Sequence, residues 1–167
     1  MSQLTETAKN QLRQAVIKAI NKAVSEGELP EGEAPEFTIE VPNDRAHGDF
    51  ATNAAMVSAR VFRKSPAVIA KAILDRLDLK STYASSAEIA GAGFINFRLS
   101  DNFYADILID ILNEKENFGR SDFGKGKSVD VEFVSANPTG PMHIGNARGG
   151  ALGDCLASVL EAAGYDV

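Results

Sequence analysis

The sequence contains no tryptophan, only one cysteine and only two histidines among its 167 residues. A lone cysteine, Cys155, cannot form an internal disulfide, so we expect it to be a small packing residue of a helix. No apolar run approaches the roughly 20 residues that a membrane-spanning helix needs. The polar N-terminal stretch MSQLTETAKNQLRQ lacks the pattern of an export signal. We therefore expect a cytoplasmic protein that does not bind membranes.

Positive charge is also scarce. The 17 lysines and arginines are outnumbered by 23 aspartates and glutamates, which gives a net charge of −6. This balance argues against nonspecific adhesion to nucleic acid, which needs a positive field, but it permits a local contact surface. The acidic cluster in EGELPEGEAPEFTIE is interpreted as a solvated face.

The first part of the chain shows the three- and four-residue apolar repeat of an amphipathic helix. It predicts a helix that ends near Gly27 and buries Leu4, Ala8, Leu12, Ala15, Val16, Ala19, Ile20 and Ala23. The alternation in FTIEV predicts a strand over Phe37–Val41. We expect the next helix to begin at Asp49, and a further one to begin at Ser65-Pro66 and run to about Leu77.

A hairpin and a last helix complete this part. TYASSAEIA and FINFRLS read as two strands joined by the turn Gly91-Ala92-Gly93. Ser100 or Asp101 is the expected cap of the last helix. Its predicted inward residues are Phe103, Tyr104, Ile107, Leu108, Ile111 and Leu112. The elements together predict a compact α+β domain over residues 1–118.

The glycine-rich stretch at 119–127 is predicted to be a hinge-like linker. Beyond it, SVDVEFVS predicts a strand, followed by a Gly/Pro loop, a helix from about Gly145 to Ala163, and the start of another strand in GYDV. This order predicts the first βα unit of an α/β, Rossmann-like domain over residues 128–167. A single βα unit cannot cover both faces of a parallel strand, so we expect this second domain to be truncated.

The loop between that strand and helix has an unusual composition. SANPTGPMHIGNARGGALGD holds five of the 14 glycines, two of the six prolines and one of the two histidines. Ligands of open α/β sheets bind just beyond the carboxyl ends of strands, and a helix N-terminus suits phosphate. The patterns GxxxxGK[ST] and GxGxxG are absent. Two interpretations stay open: a phosphate-binding loop, or a tight turn in which His143 only caps backbone groups.

A resemblance rests on longer stretches. VEFVSANPTGPMHIGNARGGALGDCLASVLEAAGYDV resembles the first βα segment of bacterial arginyl-tRNA synthetases, with HIGN where class I synthetases carry HIGH. HGDFATNAAM and GAGFINFRL resemble parts of the N-terminal domain of that family. The resemblance implies that the full enzyme makes arginyl-adenylate from arginine and ATP, with Mg²⁺ accompanying the ATP, and transfers arginine to tRNA(Arg).

The resemblance also implies roles for individual residues. His143 and Asn146 would be catalytic, with Pro141, His143, Gly145 and Asn146 contacting ATP and Ser135 and Asn137 contacting arginine. Asn146 stands where the signature has a second histidine; its amide can donate a hydrogen bond but cannot move a proton. Glu132 is either an acidic group near the site or a structural residue. The signature region comprises Ala136, Asn137, Pro138, Thr139, Gly140, Pro141, Met142, His143, Ile144, Gly145 and Asn146.

One strand face is a candidate RNA contact. Alternation in FINFRL puts Phe94, Asn96 and Arg98 on one face, where they could stack on a base, read its edge and touch a phosphate. Alternatively, this face is ordinary core and surface. In the family that the chain resembles, this domain contacts the D-loop of tRNA. His47 is interpreted as shaping the entry to a helix, and no metal site is predicted.

Three hypotheses follow. The chain is the N-terminal fragment of an arginyl-tRNA synthetase, inactive alone because it lacks a KMSK-like loop, the rest of the arginine pocket and an anticodon-binding domain. Alternatively, it is a free-standing tRNA-binding module without catalysis, or a different class I-like nucleotidyltransferase. The expected partners are tRNA(Arg), ATP and arginine, and the expected state is a monomer.

Overall fold

A computed structural model of the chain describes residues 3–167. The chain divides into two compact units, with the division between Asn113 and Glu114. The first unit holds a four-stranded sheet with helices, and the second holds one long helix. Among the described residues, no helix is both long and apolar enough to cross a lipid bilayer.

The elements of the first unit follow one another in a mixed order. They are α1 (Gln3–Ser25), β1 (Ile39–Glu40), a 3₁₀ turn (Arg45–His47), β2 (Phe50–Thr52), α2 (Ala54–Phe62), α3 (Pro66–Leu74), β3 (Ala84–Ala90), β4 (Phe94–Leu99) and α4 (Asp101–Glu114). This confirms the predicted α+β class. The predicted strand over 37–41 is shortened to Ile39–Glu40, and α3 ends at Leu74 rather than at Leu77.

The sheet is antiparallel, with the strand order β1-β2-β4-β3. Its register aligns one residue from each strand in a row across the sheet: Glu40, Ala51, Asn96 and Glu88. The alternate residues of β4, Ile95 and Phe97, are fully buried. One face of the sheet therefore packs on the core, and the row containing Asn96 lies on the opposite, outer face.

The core confirms the predicted stripe of α1. Apart from the half-buried Leu4, every residue of that stripe is buried. All of the buried ones except Ala15 belong to a core cluster that also contains Ile69 and Ile73 of α3 and Phe97 of β4. Because α1 presents one continuous apolar face, burial along 23 residues stabilises it far more than its intrinsic propensity does. The inner side of the sheet is thus covered by helices.

The predicted start of the second helix, at Asp49, is wrong. Phe50–Thr52 forms β2, which pairs with both β1 and β4, and α2 begins only at Ala54, after Asn53. The pairing with β4 overrides the local cap signal. The Asp49 carboxylate instead accepts hydrogen bonds from the Leu99 backbone N–H (2.8 Å) and the Tyr104 hydroxyl (3.3 Å).

The predicted inward face of α4 is also largely wrong. Only Phe103 is buried and Ile107 is partly buried, at the end of the helix where Tyr83 and Asp49 hold it. The other four predicted inward residues are exposed: Tyr104, Leu108, Ile111 and Leu112. The periodicity identifies an apolar face correctly, but no other element of the first unit covers it.

The second unit contains α5 (Ile144–Ala162), within one residue of its predicted bounds. The stretch SVDVEFVS, residues 128–135 and here named the extended segment, is predicted as a strand but forms only one bridge, a parallel pair between Ser128 and Asp166. A longer ladder would need a neighbouring strand that these residues do not supply. The single parallel pair agrees with the predicted start of an α/β domain.

The stretch at 119–127 is bonded to the end of α5. Backbone N–H groups of Ser121, Gly124 and Gly126 donate to the carbonyls of Ala162, Ala163 and Gly164. A Cβ on Gly124 would lie 2.6 Å from the Tyr165 ring, so only glycine fits there. This segment is therefore held by backbone hydrogen bonds to the end of α5 and differs from the flexible linker that the sequence predicts. Cys155, expected to pack inside, lies on the exposed side of α5.

Candidate functional site

The residues Ala136–Asn146, here named the HIGN loop, follow the extended segment and include the first three residues of α5. Val134, just before the loop, adopts φ +57°, a left-handed conformation that a β-branched residue rarely takes. This turn redirects the chain away from the extended segment. The loop encloses a shallow cavity of about 290 Å³, lined by Ala136, Asn137, Thr139, Gly140, Pro141, Met142, His143 and Asn146.

His143 is the N-cap of α5. Its Nδ1 accepts a hydrogen bond from the Gly145 N–H (3.1 Å), and its own N–H donates to Oδ1 of Asn146 (3.1 Å). Because Nδ1 is an acceptor, the proton of the neutral ring is on Nε2. The same contacts leave the Asn146 amide NH₂ without an intramolecular partner among the described residues. The cap therefore presents two side-chain donors at the positive end of a helix.

The structure explains why position 145 is a glycine. A Cβ at this position would lie 2.9 Å from Cε1 and 3.0 Å from Nδ1 of His143. The glycine lets the imidazole fold back over the first helical turn and accept the Gly145 N–H. The resemblance implies that Gly145 contacts ATP, and the structure adds that a glycine here leaves room for the His143 ring.

The structure brings together only some of the predicted residues of this site. Asn137, Pro141, His143 and Asn146 line one cavity, whereas Ser135 and Gly145 do not contribute to its lining. Glu132 is exposed on the extended segment. All residues of the HIGN loop are exposed except the half-buried Asn146, so these residues by themselves do not enclose a nucleotide.

A second cavity of about 470 Å³, here named the sheet groove, lies on the outer sheet face. It is lined by Glu40, Val41, Pro42, Asn43, His47, Ala51, Ala90, Gly91, Phe94 and Asn96. Ala51 is the cross-strand neighbour of Asn96, and its small side chain leaves the floor of the groove open. Flat apolar surface and a polar floor are combined here, which suits an unstacked base.

The predicted residues of β4 behave differently from one another. Phe94 is 37% exposed, whereas Asn96 is only 4% exposed and its amide makes no hydrogen bond to any described residue. The amide atoms themselves still reach solvent in the groove, because Ser58 Oγ is the one buried side-chain polar atom without a partner among the described residues. A ligand in the groove can therefore pair with the Asn96 amide directly. Arg98 is exposed and donates from Nη2 to the Ala46 carbonyl (3.0 Å), so part of its donor capacity is used within the protein.

Sequence reasoning missed two residues of the sheet groove. His47 was assigned to a helix entry, but it belongs to the 3₁₀ turn and lines the groove beside Asn96. Glu40 lies in the cross-strand row of Asn96. No local pattern identifies either residue, because their proximity comes from strand pairing between distant segments.

Comparisons with known proteins agree with this geometry. The family model "Arginyl tRNA synthetase N terminal domain" matches residues 10–99, and "tRNA synthetases class I (R), catalytic domain" matches residues 107–167. The matches assign the second unit to the class I aminoacyl-tRNA synthetases. The chain belongs to the arginyl-tRNA synthetase family.

Individual relatives give the same result. Arginine–tRNA ligase of Acetivibrio thermocellus is 54% identical over 167 residues, which is the whole chain and 30% of that relative. The ligase of Ruminiclostridium cellulolyticum is 51% identical over the same span. The chain thus spans about a third of the length of the curated relatives that it matches.

Solved structures add the fold. Arginyl-tRNA synthetase of Thermus thermophilus is 31% identical, with a TM-score of 0.50, over 93% of this chain and 24% of that one. The enzyme of Plasmodium falciparum is 18% identical, with a TM-score of 0.58, over 99% of this chain and 30% of that one. At this identity, the likeness shows only that the two chains share a fold.

Proposed function

We propose that the complete protein activates arginine with ATP and transfers it to tRNA(Arg), and that this chain supplies the ATP-binding HIGN loop and an RNA-contacting domain. The observation that carries the proposal is the His143–Asn146 cap, which directs free side-chain donors outward at the start of α5. It lies inside the segment that matches a class I catalytic domain. The 167 residues alone are expected to be inactive.

The reaction is an in-line displacement at the α-phosphorus of ATP, in which the arginine carboxylate attacks and pyrophosphate leaves. Catalysis of this kind depends on positioning and on stabilising charge. Nε2–H of His143 would donate to a phosphate oxygen, and the Asn146 amide and the dipole of α5 would add to that stabilisation. Mg²⁺ would arrive with ATP as part of the substrate.

The amino acid is assigned to the same end of the extended segment. Ser135 and Asn137 would face the α-amino and carboxylate groups of arginine, as in the family that the chain resembles. Asn137 lines the cavity that also contains His143, which supports this assignment. Selectivity for the guanidinium group would come from residues outside this chain.

The sheet groove is proposed to contact the tRNA. Phe94 offers an exposed aromatic face to a base, and the unpartnered amide of Asn96 can both donate to and accept from a base edge. In the resembled family, the D-loop of tRNA is the segment contacted by this domain. A cytoplasmic location and a monomeric state remain predictions from the sequence.

The experiment is arginine-dependent, tRNA-supported ATP–pyrophosphate exchange by the complete protein. His143→Ala should cut adenylate formation at least tenfold, because it removes a donor to developing charge worth roughly 10- to 1,000-fold. Asn146→His is the matched control: it keeps a donor at the second position and should change the rate little. Near-normal exchange by His143→Ala would rule out the phosphate role.

A further inference from the structure

The two ends of the sheet groove differ in chemistry. Along β4, Asn96 lies between Phe94 and Arg98, which are separated by about 13 Å at ordinary strand rise. The Phe94 end is formed by the aromatic ring and the hairpin turn at Gly91. The other end is lined by His47, from the turn at residues 45–49 that precedes β2. Arg45 belongs to this turn and Arg98 is bonded to it at Ala46, although neither cation lines the cavity. Glu40 and Glu88 stand at the two ends of the cross-strand row that contains Asn96.

The turn at 45–49 is held rigidly on β4. The Asp49 N–H donates to the Phe97 carbonyl (2.8 Å), the Leu99 N–H donates to the Asp49 carboxylate (2.8 Å), and Arg98 donates to the Ala46 carbonyl (3.0 Å). Gly48 has φ +89° and lies so close to β4 that a Cβ would be 2.6 Å from the Phe97 oxygen. The conformation of this turn is therefore fixed by contacts before any ligand binds.

His47 is the side chain that this rigid turn presents to the groove. It is exposed and lines the same cavity as Phe94 and Asn96. Its imidazole has no hydrogen bond or ion pair with any residue that the structure describes. A fixed, unpartnered donor at the end of a base-sized groove is suited to bind the nucleotide held there.

We propose that His47 is a third RNA contact of the sheet groove. The base stacks on Phe94 and pairs its edge with Asn96, and the imidazole of His47 hydrogen-bonds the ribose or phosphate of the same nucleotide. The carboxylates of Glu40 and Glu88, at the two ends of the row, repel phosphate from the row, and the cations Arg45 and Arg98 beside the turn favour the sugar–phosphate at the His47 end. Arg98 is a positioning residue that acts through the turn. The inference rests on the proposed tRNA contact of this groove.

The test is equilibrium binding of tRNA(Arg) to the complete protein, with Phe94→Ala as the marker of the groove. His47→Ala should weaken binding about three- to tenfold, the loss of one hydrogen bond. His47→Gln keeps a donor and should stay within about twofold of wild type. Because His47 is exposed, the melting temperature should not change. Unchanged binding by His47→Ala, with binding lost in Phe94→Ala, would overturn the inference and leave the groove proposal intact. Unchanged binding by both would overturn the groove proposal itself.

The role of Arg98 is tested by a double-mutant cycle with His47. Arg98→Met should weaken binding in the wild-type background and have little further effect in His47→Ala, because both changes remove the same contact. Lys71→Met, which removes an exposed cation of α3 outside the groove, is the matched control and should leave binding unchanged. A different result would show that Arg98 binds a phosphate directly. In that case the losses of affinity from the two substitutions would multiply, and the slope of the logarithm of the binding constant against the logarithm of the salt concentration would fall by about one in Arg98→Met alone.

Discussion

The sheet groove and the HIGN loop are built in opposite ways. The groove has a nearly buried floor at Asn96, walls from three strands and a turn bonded to β4. In the loop, every residue except Asn146 is exposed, and one helix cap fixes the geometry. The first site is therefore complete within its own unit, whereas the second is positioned locally and still open to solvent.

The difference shows which property each unit provides. Strand pairing over long sequence distances gives the groove a rigid shape that can select a ligand by fit. A helix cap orients the hydrogen-bond donors of the loop, but it does not exclude water. Electrostatic catalysis depends on that exclusion. Perturbing the buried backbone contacts that hold the groove together should thus change the stability of its whole unit, while perturbing the cap of the HIGN loop should change only the first turn of α5.

The largest expected effect is that of Gly48→Ala. The new Cβ would meet the Phe97 carbonyl oxygen, and φ +89° with ψ −166° is a conformation essentially restricted to glycine. We expect the free energy of unfolding of the first unit to fall by roughly 2–4 kcal/mol. Gly27→Ala is the matched control: it also has positive φ, at +76°, but has open space around it, and should cost only about 1–2 kcal/mol. Urea denaturation measures both; equal losses would contradict a rigid turn on β4.

A smaller and local effect is expected for Asn146→Ala. It removes the acceptor of the His143 N–H and should destabilise the start of α5 by about 1 kcal/mol. Amide hydrogen exchange should become faster in the first turn of α5 and stay unchanged in the sheet. Asn146→Asp keeps an acceptor and should preserve protection there. Loss of protection throughout the second unit in Asn146→Ala would mean that the cap does more than hold one turn.

The smallest expected effect concerns pH. The hydrogen bond from the Tyr83 hydroxyl to Asp106 (2.8 Å), followed by burial and the charges of Asp106 and Asp110, raises the pKa of Tyr83 above its ordinary value. Because the folded-state pKa is raised, Tyr83 contributes stability that is fully present below its unfolded-state pKa of about 10. This stability is lost as the pH rises through the folded-state pKa. The unfolding free energy should therefore decline above pH ~10 less steeply in Tyr83→Phe than in wild type. Identical slopes would contradict this coupling of Tyr83 to α4.

The elements that could be predicted are those whose signals are local. The apolar stripe of α1, the hairpin around Gly91 and the helix α5 each lie within one continuous segment, and the structure confirms them. The position of Phe94 and Asn96 on one face of β4 could also be predicted, because alternation along a strand decides which residues share a face.

The elements that were missed depend on distant partners. Phe50–Thr52 becomes a strand because β4 pairs with it, although Asp49 looks like a helix cap. His47 and Glu40 reach the groove by the same pairing, and the cap formed by His143 and Asn146 depends on side-chain geometry. Periodicity likewise finds the apolar face of α4, but it cannot tell whether anything covers Leu108 and Leu112, which are 59% and 72% exposed.

The most direct test is binding of this 167-residue chain to a tRNA(Arg) transcript at low and moderate salt. Wild type is compared with the double variant Phe94→Ala/Asn96→Ala. If the groove is complete within its own unit, the chain should bind the transcript specifically, and the double variant should lose that binding. Absence of binding by wild type, or equal binding by both proteins, would contradict the claim that the groove recognises RNA by itself.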